Sequence, residues 1–269
     1  MASSATDSQG SDKDIRENLV KTGHVDVVIS VGNNFFYTKS LPCSLWFFDK
    51  GKTDELKNKV LFIDARNYFT VVDRTLNEWQ LKNMNAIVWL YRGETDKYKA
   101  LLEEYKSALK EMIAEVEEEA LNAVMDDVFI DGLEVAKKHL KTLREEAKKA
   151  VEACDKKEKK KVQASWDEKI AAVEEIVEVV KEAHWLYSKF GEGKYEDILG
   201  LCKIADIETI EGKGWSLTPG AYVGVAPVED DGVDFAERMA EIHKELLELQ
   251  AESNELMDTI SQNMKEMGL

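Results

Sequence analysis

From Phe235 to the end of the chain, apolar residues recur every three or four positions. Phe235, Met239, Ile242, Leu246, Leu249, Ser253, Leu256, Ile260, Asn263 and Met267 step by 4, 3, 4 and 3 throughout, and eight of these ten are apolar. Such positions share a face only in an α-helix, and a stripe so narrow is covered only by another helix. Residues 233–269 are therefore expected to form one coiled-coil helix. Ser253 and Asn263 sit in the seam, where a polar residue sets register or partner at some cost in stability. No other periodic signal in the chain is as strong.

A broader helical pattern fills residues 93–191. Tyr98, Leu102, Tyr105, Leu109, Met112 and Val116 make one apolar stripe, "MDDVFIDG" interrupts it, and a second tract runs from Leu133 to Cys154. The run "DKKEKKK" reads as a solvated, positively charged turn. A third tract through Val162, Trp166, Ile170, Val173, Val177 and Val180 continues to about Phe190. Antiparallel helices packed as a hairpin or small bundle are expected.

Residues 1–92 alternate between the two periodicities. "SDKDIRENLV" reads as a short helix with acids in its first turn, ended by Gly23. "HVDVVISV", "CSLWFFD" and "KVLFIDA" are apolar runs of strand length, and near-continuous apolar strands imply a sheet covered on both faces. Thr75 with Glu78 three residues on has the spacing of a capping box, so a helix is expected to open at Thr75. Residues 192–232 hold most of the remaining glycines and two of the three prolines, and read as a mixed segment of loops and short helices.

Charge follows the same division. Residues 1–92 hold 12 Lys+Arg against 11 Asp+Glu, whereas residues 93–269 hold 24 against 42, giving a chain of net charge −17. General attraction to nucleic-acid phosphate is thereby excluded, and a nucleic-acid role needs a basic partner or a local site. Cys43, Cys154 and Cys202 are odd in number and widely spaced, which fits reduced thiols of a cytoplasmic protein. No apolar run approaches the length of a membrane span, and "MASSATDSQGSDKD" lacks the apolar segment of a signal peptide.

Three stretches, in order, carry a resemblance: "VDVVISVGNNFFYTKSLPCSLWFFDKGK", "KVLFIDARN" and "GWSLTPGAYVGV" ahead of the acidic heptad helix. Together they resemble the modification subunit of type I restriction-modification systems, a family of adenine-N6 DNA methyltransferases. The resemblance covers nearly the whole chain and implies an α/β fold: the C-terminal remnant of a Rossmann-like methyltransferase sheet (residues 1–92), followed by a large α-helical and coiled-coil region. In the family, "MASSA" falls at the end of a sheet strand, so Met1 would be an internal position.

The resemblance also implies S-adenosylmethionine as methyl donor for the intact enzyme, with a specificity subunit, a restriction subunit and DNA as partners in the complex. The donor-binding glycine turn and the Asn-Pro-Pro-aromatic motif of such enzymes are absent. Pro42, Pro219 and Pro227 lie in no such motif, and Gly191/Gly193 and Gly212/Gly214 follow no suitable strand. This chain alone is therefore expected neither to bind the donor nor to transfer methyl groups, and no catalytic residue is assigned within it. The alternative is a non-enzymatic helical interaction or scaffold protein.

By resemblance, Phe36 lines the target-base pocket, with Phe35 as the alternative and Tyr37 beside them; each aromatic would stack on an extruded base. Arg66 is a candidate DNA contact, weighed against a local Asp64–Arg66 interaction. Ala221 stands where the family usually has a basic residue, so a phosphate or subunit contact by "SLTPGAYVGV" is weighed against a structural turn that anchors Tyr222 and Val223. Asp49, Lys50 and Lys52 read as a solvated turn. Phe235, Met239, Ile242, Leu246, Leu249, Leu256 and Ile260 are expected to dock on the specificity subunit, against the plainer readings of self-association or packing on the chain's own helices. His24, His139, His184 and His243 are dispersed, so no metal site is expected.

Overall fold

Valine and isoleucine are stiff at χ1 and pack well on a pleated surface, and the chain uses them where its central strands form. A computed structural model describes residues 2–36, 40–73, 76–116, 118–154, 158–226 and 235–266. Its main sheet has four strands in the order β2-β1-β3-β6, namely Cys43–Phe48, Val25–Val31, Lys59–Ala65 and Cys202–Asp206. The two central strands are parallel, with Val27 opposite Leu61 and Val31 opposite Ala65; both outer strands run antiparallel to their neighbours.

Alternation sends the side chains of β1 and β3 into two separate layers. Val27, Ile29, Leu61, Ile63 and Ala65 join a large core with helices on one face. Val28, Val60 and Phe62 join a smaller one on the other face, where Phe62 stacks on Tyr222 at 3.8 Å and 6°. Both central strands are covered on both faces, as expected from their apolar runs. The outer strand β2 is not: Phe47 and Phe48 are half exposed beside Ile15, along an apolar groove of about 500 Å³. Beyond β1, the described residues pair with β2 only through the bridge Ala2–Cys43.

The first helix, α1 (Ser11–Lys21), packs on the smaller layer through Val20, and Gly23 closes it with φ 72°. Its Arg16 is buried, and no carboxylate among the described residues pairs with it. Instead Nε donates to the Trp215 carbonyl at 3.0 Å, Nη1 to the Ala5 carbonyl at 3.0 Å and Nη2 to the Ser8 carbonyl at 2.5 Å. One guanidinium thus ties the start of the chain to a loop 199 residues away.

Helices α2 (Leu81–Tyr91), α3 (Thr95–Val116), α4 (Gly132–Ala153) and α5 (Lys159–Phe190) cover the larger layer, with a 3₁₀ segment Glu119–Asp126 between α3 and α4. Val173, Ile176, Val177, Val180, Ala183, Leu186 and Phe190 of α5 are all buried, at the i, i+3, i+4, i+7 spacing of one helix face. Each fully buried aliphatic side chain contributes roughly 1.5–3 kcal/mol, an upper bound set by the extended-chain reference.

Three expectations are corrected. Residues 76–78 are not a helix start but strand β5 (Leu76–Glu78), paired in a hairpin with β4 (Thr70–Asp73), and α2 begins only at Leu81. Burial of Leu76 and hydrogen bonds made by Asn77 outweigh the capping-box spacing there. The 192–232 segment has its short helices, α6 (Ile207–Gly212) and α7 (Gly220–Val223), but it also holds strand β6 and so completes the main sheet. Lys52 does not lie in a solvated turn. Its side chain is 2% exposed, donates to the Val25 and Lys59 carbonyls, and lies 3.8 Å from the buried carboxylate of Asp26.

Residues 1–226 form one compact unit and 227–269 another. The second is described as a single 32-residue helix, α8 (Phe235–Glu266), on which Met239, Ile242, Leu246, Leu249, Leu256 and Ile260 are all exposed. Among the described residues no helix is long and apolar enough to cross a membrane, and no cluster of His, Cys, Asp and Glu could hold a metal ion.

Candidate functional site

Because β1 and β3 are parallel, their C-terminal ends lie side by side, the place where α/β sheets present ligand-binding loops. Gly32 leaves β1 so close to β3 that a Cβ would lie 2.7 Å from the Arg66 carbonyl oxygen; only glycine fits. Asn34 then turns the chain with φ 66°, a left-handed conformation that asparagine tolerates. The hairpin holds this loop. The Asn77 backbone N–H donates to the Asn34 carbonyl at 2.7 Å, and its side-chain amide to the Asn33 carbonyl at 3.1 Å.

So held, Phe35 turns into an aromatic cluster. Its ring lies 6.2 Å from Phe69, edge to face, and 5.2 Å from Trp79. Phe35 and Trp79 border a cleft of about 340 Å³, with Leu76, Asn77, Glu78 and Leu81 as its other walls, within the range of small-molecule sites. The Trp79 Nε1–H is buried with no hydrogen-bond partner among the described residues. Phe36 is 49% exposed, so its ring face is free where that of Phe35 is occupied. Tyr37 lies outside the described residues.

Phe69 also borders a second, smaller cavity of about 200 Å³ with Asn67, Thr70, Gln80 and Trp185. Its floor is a buried polar network. Glu182 Oε2 accepts from the Tyr68 hydroxyl at 2.5 Å and the Asn83 amide at 2.8 Å, and the Tyr105 hydroxyl donates to Asn83 Oδ1 at 2.9 Å. Burial pushes the Glu182 carboxyl above its usual range, opposed by the Tyr68 hydrogen bond, and burial holds the Tyr68 phenol well above the ordinary tyrosine value. The cluster offers stacking faces and hydrogen-bonding groups, equipment for holding a planar heteroaromatic ring.

Arg66 lies at the same end of the sheet. Nε and Nη2 grip Asp64 as a fork, at 2.8 and 2.6 Å, and Gly220 opens α7 against the pair, where a Cβ would be 3.0 Å from Nη2. The local Asp64–Arg66 interaction is therefore formed, while the guanidinium is still half exposed. The glycine patterns Gly191/Gly193 and Gly212/Gly214 fall in turns that end α5 and α6, not between a parallel strand and a helix, so they do not fit a dinucleotide-type phosphate cradle. Of the predicted site residues, the structure brings Phe35, Phe36 and Arg66 to one end of the sheet. It adds Phe69, Trp79, Asn77 and Glu182, which the sequence did not single out.

Residues 1–129 match the N-6 DNA methylase family. The whole chain aligns, at 24% identity over 268 residues, with the type I restriction enzyme MjaIX methylase subunit of Methanocaldococcus jannaschii, of which it covers 31%. A 91-residue stretch, 34% of this chain, is 41% identical to the type I restriction enzyme HindI methylase subunit of Haemophilus influenzae, covering 20% of it. The chain is similar to type I methylase subunits. It spans less than a third of the length of either of these relatives. A crystal structure of a type I restriction-modification methyltransferase subunit from Streptococcus thermophilus aligns with a TM-score of 0.36 at 15% identity, over 82% of this chain and 25% of that one. The methylase match thus takes in the sheet strands β1 to β3, the Gly32–Phe36 loop and the aromatic cluster, and stops just before α4.

Proposed function

We propose that this chain supplies part of an adenine-N6 DNA methyltransferase of the type I restriction-modification class, with its sheet as part of a Rossmann-like methyltransferase sheet. In this reading residues 1–92 are the C-terminal part of the methyltransferase domain, 93–191 a helical region and 192–232 the segment leading to the C-terminal helix. The loop at the end of β1 carries the reading: Phe35 is locked between Phe69 and Trp79, so the exposed Phe36 beside it is presented for stacking. A stacked base gains roughly 1–3 kcal/mol. That offsets part of the few kcal/mol needed to extrude it from a duplex.

The methyl donor of the intact enzyme would be S-adenosylmethionine. Neither the Gly191/Gly193 turn nor the Gly212/Gly214 turn fits its binding, and the chain by itself is expected to be inactive. Calorimetric titration of the chain with S-adenosylmethionine should show no binding; measurable binding overturns that part of the proposal. In a methylase joining these residues to a donor-binding segment, Phe36→Ala should cut methylation of duplex DNA about ten-fold or more. Unchanged turnover would sink the base-pocket role.

The exposed seam of α8 favours a partner helix, and in this reading the partner is the DNA-specificity subunit. The same seam is what a non-enzymatic helical interaction protein would show. That second reading predicts that the seam pairs with another copy of the chain and that no base is held at Phe36.

A further inference from the structure

The negative charge of the helical region has one reversal. Residues 132–161 hold 11 Lys+Arg against 6 Asp+Glu, while the rest of 93–269 holds 13 against 36. The described residues of this stretch include α4 and the start of α5, and the stretch lies beyond the segment that matches the methylase family. On α4 the exposed cations Lys137, Lys141, Arg144 and Lys148 recur at i, i+4, i+7 and i+11, which places them in one row along the helix. Lys159, Lys160 and Lys161 continue the exposed positive charge where α5 begins. Lys137 pairs with Glu134 and Arg144 with Glu174, both at the surface; Lys141 and Lys148 have no ion-pair partner among the described residues.

The placement of this row is fixed by its neighbours. Helices α4 and α5 lie antiparallel, since Phe129, just before α4, stacks on Tyr187 late in α5, while Arg144 reaches Glu174 further back. The other end of α5 is anchored beside the aromatic cluster, where Glu182 bonds Tyr68 and Asn83. At 1.5 Å per residue, the stretch of α5 from Lys159 to Glu182 measures roughly 35 Å. That is about one turn of B-form DNA, 34–36 Å.

We propose that the α4–α5 hairpin is an arm that carries the backbone of duplex DNA away from the aromatic cleft for about one helical turn, its basic row neutralising phosphates. The proposal rests on the base-pocket reading only for the direction of the duplex. The row itself is a site for a regular polyanion, and it supplies the local basic surface that a chain of net charge −17 needs to engage DNA at all. Binding along it carries no sequence information and falls steeply with salt.

The test is fluorescence anisotropy of the full chain with a labelled duplex of several turns, in a salt series, for the wild type, K141Q/K148Q/K160Q and F36A. All four positions are exposed, and melting curves check that the variants fold. The wild type should bind at low salt, and the triple variant should bind at least about ten-fold more weakly. Each lost phosphate contact removes about 0.9 from the slope of log affinity against log salt, so the triple variant should lose about 2.7. F36A, which removes a stacking face and no cation, should weaken binding while the salt slope stays set by the basic row. A duplex shorter than one turn should erase most of the difference between wild type and triple variant. No binding by the wild type, or equal slopes for wild type and triple variant, overturns the proposal. Tighter binding to polyglutamate than to the duplex also overturns it and assigns the row to an acidic protein. If F36A binds as tightly as the wild type while the triple variant behaves as described, the pocket reading fails and the arm stands.

Discussion

Asp26→Asn is the most direct test, because it strands the buried ammonium of Lys52, a residue that the sequence pattern put in a solvated turn. Asp26 is 1% exposed at the start of β1. Arg92 binds its Oδ2, and the Lys52 ammonium lies 3.8 Å from Oδ1, too far for a hydrogen bond but close enough for strong electrostatic attraction in a buried site. Arg92 is a third exposed and can turn to water when Asp26 loses its charge. Lys52 cannot: two carbonyls hold its ammonium at 2.8 and 2.5 Å, and its side chain is almost wholly buried. Breaking a buried pair by removing one partner costs about 3–5 kcal/mol. With Arg92 able to relax, about 3 kcal/mol is expected, equivalent to roughly 6–12 °C in melting temperature for a unit of this size. Burial already holds the Lys52 pKa below the ordinary 10.5, against the raising influence of Asp26. Between that depressed value and 10.5 the unfolded chain binds more protons than the folded one, so stability rises with pH across the window. Loss of the Asp26 charge lowers the folded pKa further and extends the window downward. Urea melts followed by tryptophan fluorescence, kept below about pH 9 to avoid the titration of tyrosines, measure both effects. The double variant Asp26→Asn/Lys52→Met should recover much of the loss, since it removes the stranded charge. A single variant within about 0.5 kcal/mol of wild type, or a double variant no better than the single, would refute the account.

Three further outcomes are expected. Gly32→Ala places a Cβ 2.7 Å from a backbone oxygen that cannot swing aside, and should cost about 1–3 kcal/mol in a thermal melt; an unchanged melting temperature would show that the approach is not close. Glu182, its pKa raised by burial, contributes stability that is fully present below about 4.5 and lost as pH rises through its folded value, so the advantage of wild type over Glu182→Gln should shrink across that range; a pH-independent difference counts against it. Leu246→Asp/Leu249→Asp should abolish capture by a type I specificity subunit while helical circular dichroism persists, both residues being exposed on α8; undiminished capture removes the docking role.

What could be read from the sequence was what depends on local periodicity. The runs of β1 and β3, the stripes of α3 and α5 and the helix at the end of the chain were all legible, because each follows a pattern that repeats along the chain. Strand β6 was missed because Cys202 and Ala205 are buried without a run of β-branched neighbours; only pairing with β3 makes that stretch a strand. The hairpin was missed for a different reason. Thr75 and Glu78 have capping-box spacing, but the bond from the Asn77 N–H to Asn34 is long-range and leaves no trace in the local pattern. Misplacing residues 75–78 hid the cleft, since Leu76, Asn77, Glu78 and Trp79 wall it only in the extended conformation. The β-branched run Thr70-Val71-Val72 was the available signal. Lys52 was misread because a lysine next to glycine usually faces water, and its buried partner Asp26 lies across the sheet.

The outer rim of β2 sets how this protein behaves in concentrated solution. Its outward backbone groups and the half-exposed Phe47 and Phe48 invite another extended segment to add to the sheet. Repulsion between chains of net charge −17 works against such encounters between copies. That repulsion reaches about 10 Å in 0.1 M salt and about 3 Å in 1 M. Added salt is therefore expected to act on two surfaces of the molecule in opposite senses, loosening phosphate from the proposed basic arm while weakening the repulsion that keeps sheet rims of neighbouring copies apart.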